Sequence, residues 1–155
     1  MRARGGFTLL ELLAVVGIIG ILGATAIPLY RTYQQRAYGS EAAIMAKRII
    51  DGQIAYFLEH DQFFPKPSYG GNNPIFIGSD TSANDPAIAD IYAALNITIP
   101  VGHFLDYHLA ADNTAGNESF TVTIMANFPL FQGQHAPGTL IGSVNKDGEI
   151  TMIVP

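Results

Sequence analysis

Hydrophobic and polar positions fall into three regimes along this chain. Residues 7–27 read FTLLELLAVVGIIGILGATAI, and Glu11 is the only charged side chain among these 21 residues. As a helix at ~1.5 Å per residue the run spans roughly 30 Å, one hydrocarbon core. Beyond Pro28 the apolar positions keep helical spacing. Ala43, Ala46, Ile50, Ile54 and Phe57 share one face, and Ala42, Met45, Ile49 and Tyr56 form a second stripe roughly 100° away. The helix is expected to run to about residue 60, where DQFFP ends it, because the residue before a proline avoids the helical region.

The third regime alternates. A short strand is expected at 75–77, inside a Gly-, Asn- and Pro-rich loop over 66–84. Asp85-Pro86 reads as an N-cap and first helical residue, opening a short helix through Leu95. Strands are expected at 104–110, 119–126, 139–144 and 149–154, the last two joined by Asn145-Lys146-Asp147-Gly148, a hairpin turn. The fold class is α+β: one long N-terminal helix whose outer half packs on a small antiparallel sheet of about four strands. Three segments follow: a leader at 1–6, a hydrophobic half-helix at 7–28, and a globular head at 29–155.

Charge narrows the function. Eight basic residues stand against 13 acidic ones, a net charge of −5, with no cluster of Lys and Arg. Nucleic-acid binding as the main task is therefore not expected. The absence of cysteine excludes disulfides and thiolate metal sites.

The leader MRARGG is short and basic, and positive flanks stay cytoplasmic. Three devices begin this way: a cleaved secretory signal, with an A-x-A site at Ala24-Thr25-Ala26; a plain membrane anchor; and a leader cut between Gly6 and Phe7 on the cytoplasmic face. Glu11 separates them. A carboxylate in a signal or anchor core brings a desolvation cost of a few kcal/mol and no return. Under the third reading the cut gives Phe7 a free amine, and in an array of parallel helices Glu11 of one subunit can neutralise that amine on its neighbour. Such a pair also sets the stagger between subunits.

The octet Gly6-Phe7-Thr8-Leu9-Leu10-Glu11-Leu12-Leu13 resembles the N-terminal signal of type IV pilins and their relatives. The resemblance implies a dedicated membrane peptidase that cleaves after Gly6 and N-methylates Phe7, with Thr8 and Glu11 acting in assembly. It also implies a stretch between Gly20 and Pro28, including Gly23, that loses helicity or bends when subunits polymerise. The second helical stripe (Ala42, Met45, Ile49, Tyr56) is then expected to be a helix interface, covered by other subunits. Relatives that fasten the C-terminal loop with a disulfide are not matched in this respect, so packing and hydrogen bonds must hold that loop here.

Other candidate sites are weak. On a strand, His103 points away from Asp106 and His108, which argues against a metal in HFLDYH. Asp80, Ser82 and Asn84 begin like a calcium loop, but Asp85 and Ile91 break the pattern at its sixth and twelfth positions. Asn96-Ile97-Thr98 and Asn117-Glu118-Ser119 fit a glycosylation sequon. No catalytic constellation and no cofactor are expected.

The expected function is a structural subunit of an extracellular type IV pilus-like filament, drawn from an inner-membrane pool. Its expected partners are copies of itself, the prepilin peptidase and assembly machinery, and the inner membrane before assembly. The alternatives are a pseudopilin of a type II secretion system in a periplasmic filament, and a soluble secreted binding domain released near Ala26. Against the first, Asp85-Pro86-Ala87 lacks the tryptophan that major pseudopilins tend to carry after Asp-Pro.

Overall fold

The computed structural model describes residues 7–65, 74–100, 102 and 104–155. The expected leader with Gly6, residues 66–73 of the expected loop, and His103 lie outside the described residues. The element order is α1 (Leu9–His60), β1 (Ile75–Ile77), α2 (Pro86–Leu95), β2 (Asp106–Asp112), β3 (Ser119–Ala126), β4 (Gly138–Asn145) and β5 (Ile150–Ile153). The chain divides into two units, Met1–Gln34 and Gln35–Pro155, and α1 belongs to both.

In the first unit α1 is helical straight through Pro28. Proline removes one intrahelical donor. Thr32 Oγ1 donates to the Pro28 carbonyl at 3.1 Å, and Thr25 Oγ1 to the Leu22 carbonyl at 3.0 Å, so both threonine hydroxyls in this stretch turn back on the helix.

The second unit is a helix laid on a sheet. The sheet has five antiparallel strands in the order β1-β2-β3-β4-β5, one more than the four expected. The added strand is the short 75–77 segment, which pairs Ile75 with Leu109 and Ile77 with Tyr107. β2 lies two residues later than its pattern indicated. Ala111 and Asp112 look like turn residues, yet they pair with Phe120 and Ser119 of β3. Alternation along β3 and β4 puts Phe120, Val122, Ile124, Leu140 and Val144 in the core and leaves Thr121, Thr123, Thr139 and Ser143 on the outer face. Each large side chain fully buried here contributes roughly 1.5–3 kcal/mol.

The two stripes of α1 turn out to be one broad face inside the chain's own core. Ala42, Met45, Ile49 and Tyr56, expected to meet other subunits, are at most 7% exposed. Ala43, Ile54 and Phe57 pack against the same cluster. The cause is lateral cover. Phe63 and Phe64 fold back on one flank, and α2 closes on Gly52, where an added Cβ would sit 2.8 Å from Ile97 Cδ1 and 3.2 Å from the Leu95 carbonyl. Gly39 has a similar reason: a side chain there would run into the Leu130 carbonyl.

Side-chain amides hold the irregular segments. α1 ends at His60, and the next residue, Asp61, has a left-handed backbone (φ 54°) and donates its N–H to the Phe57 carbonyl at 2.8 Å. Fully buried Gln53 then pairs with the backbone of Phe64, accepting from its N–H at 2.9 Å and donating to its carbonyl at 2.6 Å. Asn113 does the same for Phe63, at 2.8 and 3.0 Å. In the C-terminal loop Gln134 accepts from the N–H groups of Leu130 and Phe131 and donates to the carbonyls of Thr139 and Pro155. With no disulfide possible, this amide joins the loop to β4 and to the last residue.

Candidate assembly site

α1 begins with Thr8 as its cap. Thr8 Oγ1 accepts from the Glu11 N–H at 3.2 Å, and Glu11 Oε2 accepts from the Thr8 N–H at 3.0 Å and from the Thr8 hydroxyl at 2.9 Å. This is a reciprocal capping box, in which two orphan donors of the first turn are satisfied by two side chains. The Thr8 carbonyl meanwhile accepts the first full-turn bond, from Leu12 N–H at 3.2 Å.

The box changes the account of Glu11. The carboxylate has a partner within its own chain, at the positive end of the helix dipole, where an anion is favourable. The sequence carries this signal as Thr-x-x-Glu ahead of an apolar run, a pattern that the desolvation cost of Glu11 alone does not reveal. Both bonds land on Oε2, and Oε1 accepts none among the described residues. One oxygen is therefore committed to the cap, and the other is turned to the surroundings.

Among the described residues, the apolar side chains around the box are left exposed. Phe7, Leu9 and Leu10 are about four-fifths exposed. α1 is long and apolar enough to cross a membrane, and none of its most apolar stretch is buried. Gly17, Gly20 and Gly23 would accept a side chain without touching anything within 4 Å. Unlike Gly39 and Gly52, they meet no packing partner among the described residues.

Comparison with known proteins bears directly on this segment. Residues 1–27 match the family profile described as the prokaryotic N-terminal methylation motif. The chain is 40% identical over 77 residues, half its own length and 33% of the relative's, to the type IV major pilin protein PilE1 of Neisseria gonorrhoeae. By its N-terminal half, the chain is similar to type IV pilins. It is also 47% identical over 58 residues to the type IV major pilin protein PilA of Myxococcus xanthus, covering 37% of this chain and 26% of that one. The fimbrial protein of Moraxella nonliquefaciens is 54% identical over 46 residues, 30% of each chain. The matched part of the chain thus spans about a third or less of each of these pilins. No solved structure matches significantly.

Among the described residues, the candidate ligand residues weighed and set aside in the sequence lie on a strand and in turns of the second unit. Asp106 and His108 lie on the outer face of β2, and the His108 ring lies 6.5 Å from Phe76. Asp80, Ser82 and Asn84 lie in turns, where the Gly78 N–H is taken by Thr81 Oγ1 at 2.8 Å. Among the described residues no group of three His, Cys, Asp or Glu side chains could hold a metal ion.

Proposed function

We propose that this chain is the structural subunit of an extracellular type IV pilus filament and performs no catalysis. The single observation that carries the reading is a long apolar helical stretch exposed among the described residues, opening with a capped carboxylate within the methylation motif. Cleavage after Gly6 leaves Phe7 with a free amine, which the same peptidase methylates. The subunit waits in the inner membrane with residues 7–27 spanning the bilayer. On extraction this segment packs into a bundle of like helices.

Within the bundle, Glu11 and Thr8 set the register. The capping bonds hold the carboxylate in one rotamer, so that Oε1 can meet the Phe7 amine of the neighbouring subunit. A mis-staggered subunit leaves an acid and an ammonium unpaired in an apolar medium, which costs several kcal/mol. Gly20, Gly23 and Pro28 together lower helix stability by roughly 5 kcal/mol relative to alanine. The helix therefore yields first in the 20–28 stretch when the fibre is drawn out, and the glycines let neighbouring backbones approach. The names of the relatives, major pilins and fimbrial proteins, favour a pilus over a secretion filament.

The test is the intact mass of the mature protein together with electron microscopy of sheared surface fibres. The expected result is a chain starting at N-methylated Phe7, as the dominant component of thin fibres. A chain starting at Ile27, or fibres lacking it, overturns the proposal.

A further inference from the structure

Beyond the leader, the first unit carries one acid and one base, and they stand at the two ends of its oily stretch. Arg31 follows Glu11 by 20 positions on α1. At ~1.5 Å per residue that is about 30 Å, the thickness of a hydrocarbon core. Residues 12–29 between them hold one polar side chain, Thr25, whose hydroxyl is spent on the Leu22 carbonyl at 3.0 Å. Arg31 is exposed and has no ion pair or hydrogen bond from its side chain among the described residues. Beside it, Tyr30 is 66% and Tyr33 63% exposed.

We infer that Tyr30, Arg31 and Tyr33 form a collar that binds phospholipid phosphates, and that this collar fixes the depth of the membrane span. Charge selects the occupant. From residue 12 to residue 40 the sequence has two arginines, Arg31 and Arg36, and no acid, so this stretch is positive in a chain of net −5. A guanidinium presents a planar fork of donors that matches phosphate oxygens. Tyrosine brings an apolar ring and a polar tip, which suits the layer between hydrocarbon and water. Geometry agrees. Long side chains on a helix lean toward its N-terminus, here back toward the bilayer, so residues 30, 31 and 33 all reach a headgroup layer roughly 5–7 Å deep. At ~100° per residue the tyrosines share one side and Arg31 lies away from Tyr33, which makes a ring around the helix rather than a patch.

The depth matters for Glu11. With Arg31 among the outer phosphates, the segment crossing the hydrocarbon is 12–30, about one turn later than the apolar run itself. Glu11 then falls at the inner boundary of the hydrocarbon, and residues 7–10 lie in the inner headgroup layer. The Glu11 carboxylate also reaches toward the helix N-terminus, to the Thr8 N–H, and so toward the headgroups. The acid is thus tolerated in the unassembled subunit without a counter-ion, and becomes costly only on entering a helix bundle. This inference rests on the membrane part of the filament reading, to which it adds a depth and a lipid contact.

The chain has no tryptophan, so Leu12→Trp, Ile21→Trp and Tyr33→Trp, made singly in the full chain, give three depth reporters in phospholipid vesicles. Lipids brominated near the headgroup are expected to quench Leu12→Trp and Tyr33→Trp most, and lipids brominated at the chain end to quench Ile21→Trp most. Brominated phosphatidylglycerol and brominated phosphatidylcholine, each at the same small fraction, then read lipid preference at Tyr33→Trp. The anionic lipid is expected to be enriched there about fivefold, the equivalent of ~1 kcal/mol per basic residue near an anionic surface. Arg31→Gln is expected to bring that ratio near one, and Arg31→Lys to retain most of it. Equal quenching by the two lipids, a ratio untouched by Arg31→Gln, or Leu12→Trp reading as deep as Ile21→Trp overturns the inference while leaving the membrane span standing. Ile21→Trp unquenched by either bromine position overturns the span as well.

Discussion

Gln53 is a polar side chain in a place built for an apolar one, which makes it a sharp test of how the head is held. It is fully buried on α1, among Ile49, Ile50 and Tyr56, and its amide makes two short bonds to the backbone of Phe64. Gln53→Met keeps the volume and removes both bonds, leaving the N–H and C=O of a residue only 4% exposed without those partners. Each such loss costs about 1–3 kcal/mol. Some relaxation is available, since residues 61–65 follow the end of the helix, so a total near ~3 kcal/mol is expected. For a domain of this size that lowers Tm by roughly 10 °C. Near-ultraviolet circular dichroism of the full chain in detergent measures it, and amide exchange at Phe64 localises it. Gln53→Glu sharpens the test. A protonated glutamic acid can both accept from and donate to Phe64, whereas the carboxylate can only accept. Its folded pKa is thus raised, and the rescue is present below about pH 4 and lost as pH rises. A Tm unchanged for Gln53→Met, or a Gln53→Glu variant with no such pH dependence relative to wild type, refutes the reasoning.

Thr8→Ala and Glu11→Ala separate cap from counter-ion. The first removes the hydroxyl bonds, about 1 kcal/mol of helix-end stability, and fibres still form; the second removes the acid as well and fibre yield collapses. Equal fibre yields, read by shearing and gel densitometry, refute the register role. Tyr107→Phe is expected to be neutral or to stabilise by about 1 kcal/mol in thermal melts, because the buried Tyr107 hydroxyl has no hydrogen-bond partner among the described residues. Burial, then the nearby Glu41 charge, raises the Tyr107 pKa, so stability is lost as pH rises above the ordinary tyrosine range, and the phenylalanine variant resists that alkaline loss. In acid, the β2–β3 turn is expected to loosen. The Thr114 hydroxyl and N–H hold the Asp112 pKa down, and the Gly116 N–H does so for Glu118, so their contribution is present above the ordinary carboxylate range and lost as pH falls through the lowered values. Faster exchange of the Thr114 and Gly116 amides below about pH 4, ahead of the β3 amides, checks it.

Local chemistry was legible wherever a few neighbouring residues decide the outcome. The apolar run, α2 with its Asp85 cap and Pro86, β3, and the Asn145–Gly148 turn follow from periodicity and capping within about ten residues. Thr8-x-x-Glu11 was equally local, and it shows how a strong long-range argument can hide a short-range one. Where partners lie far apart in sequence, the pattern misled. β2 shifted by two residues because its end is set by pairing with Ser119 and Phe120 rather than by its own small residues. The stripe of Ala42, Met45, Ile49 and Tyr56 looked free for other subunits, because a helix wheel does not know that α2 and Phe63-Phe64 will close over its flank.

By itself, then, the sequence determined the division of labour: a 21-residue oily segment bearing one acid, then a head of alternating strands. Those features depend on residue type and spacing, and they hold in any conformation with the right period. Only the tertiary structure decided which amides became clamps. Gln53, Asn113 and Gln134 sit in ordinary sequence contexts, and each acquires its role from a backbone segment brought to it by the fold. It also decided which apolar residues remain outside, because burial belongs to the packed chain and not to the side chain. β5 reads like any core strand until the sheet ends there.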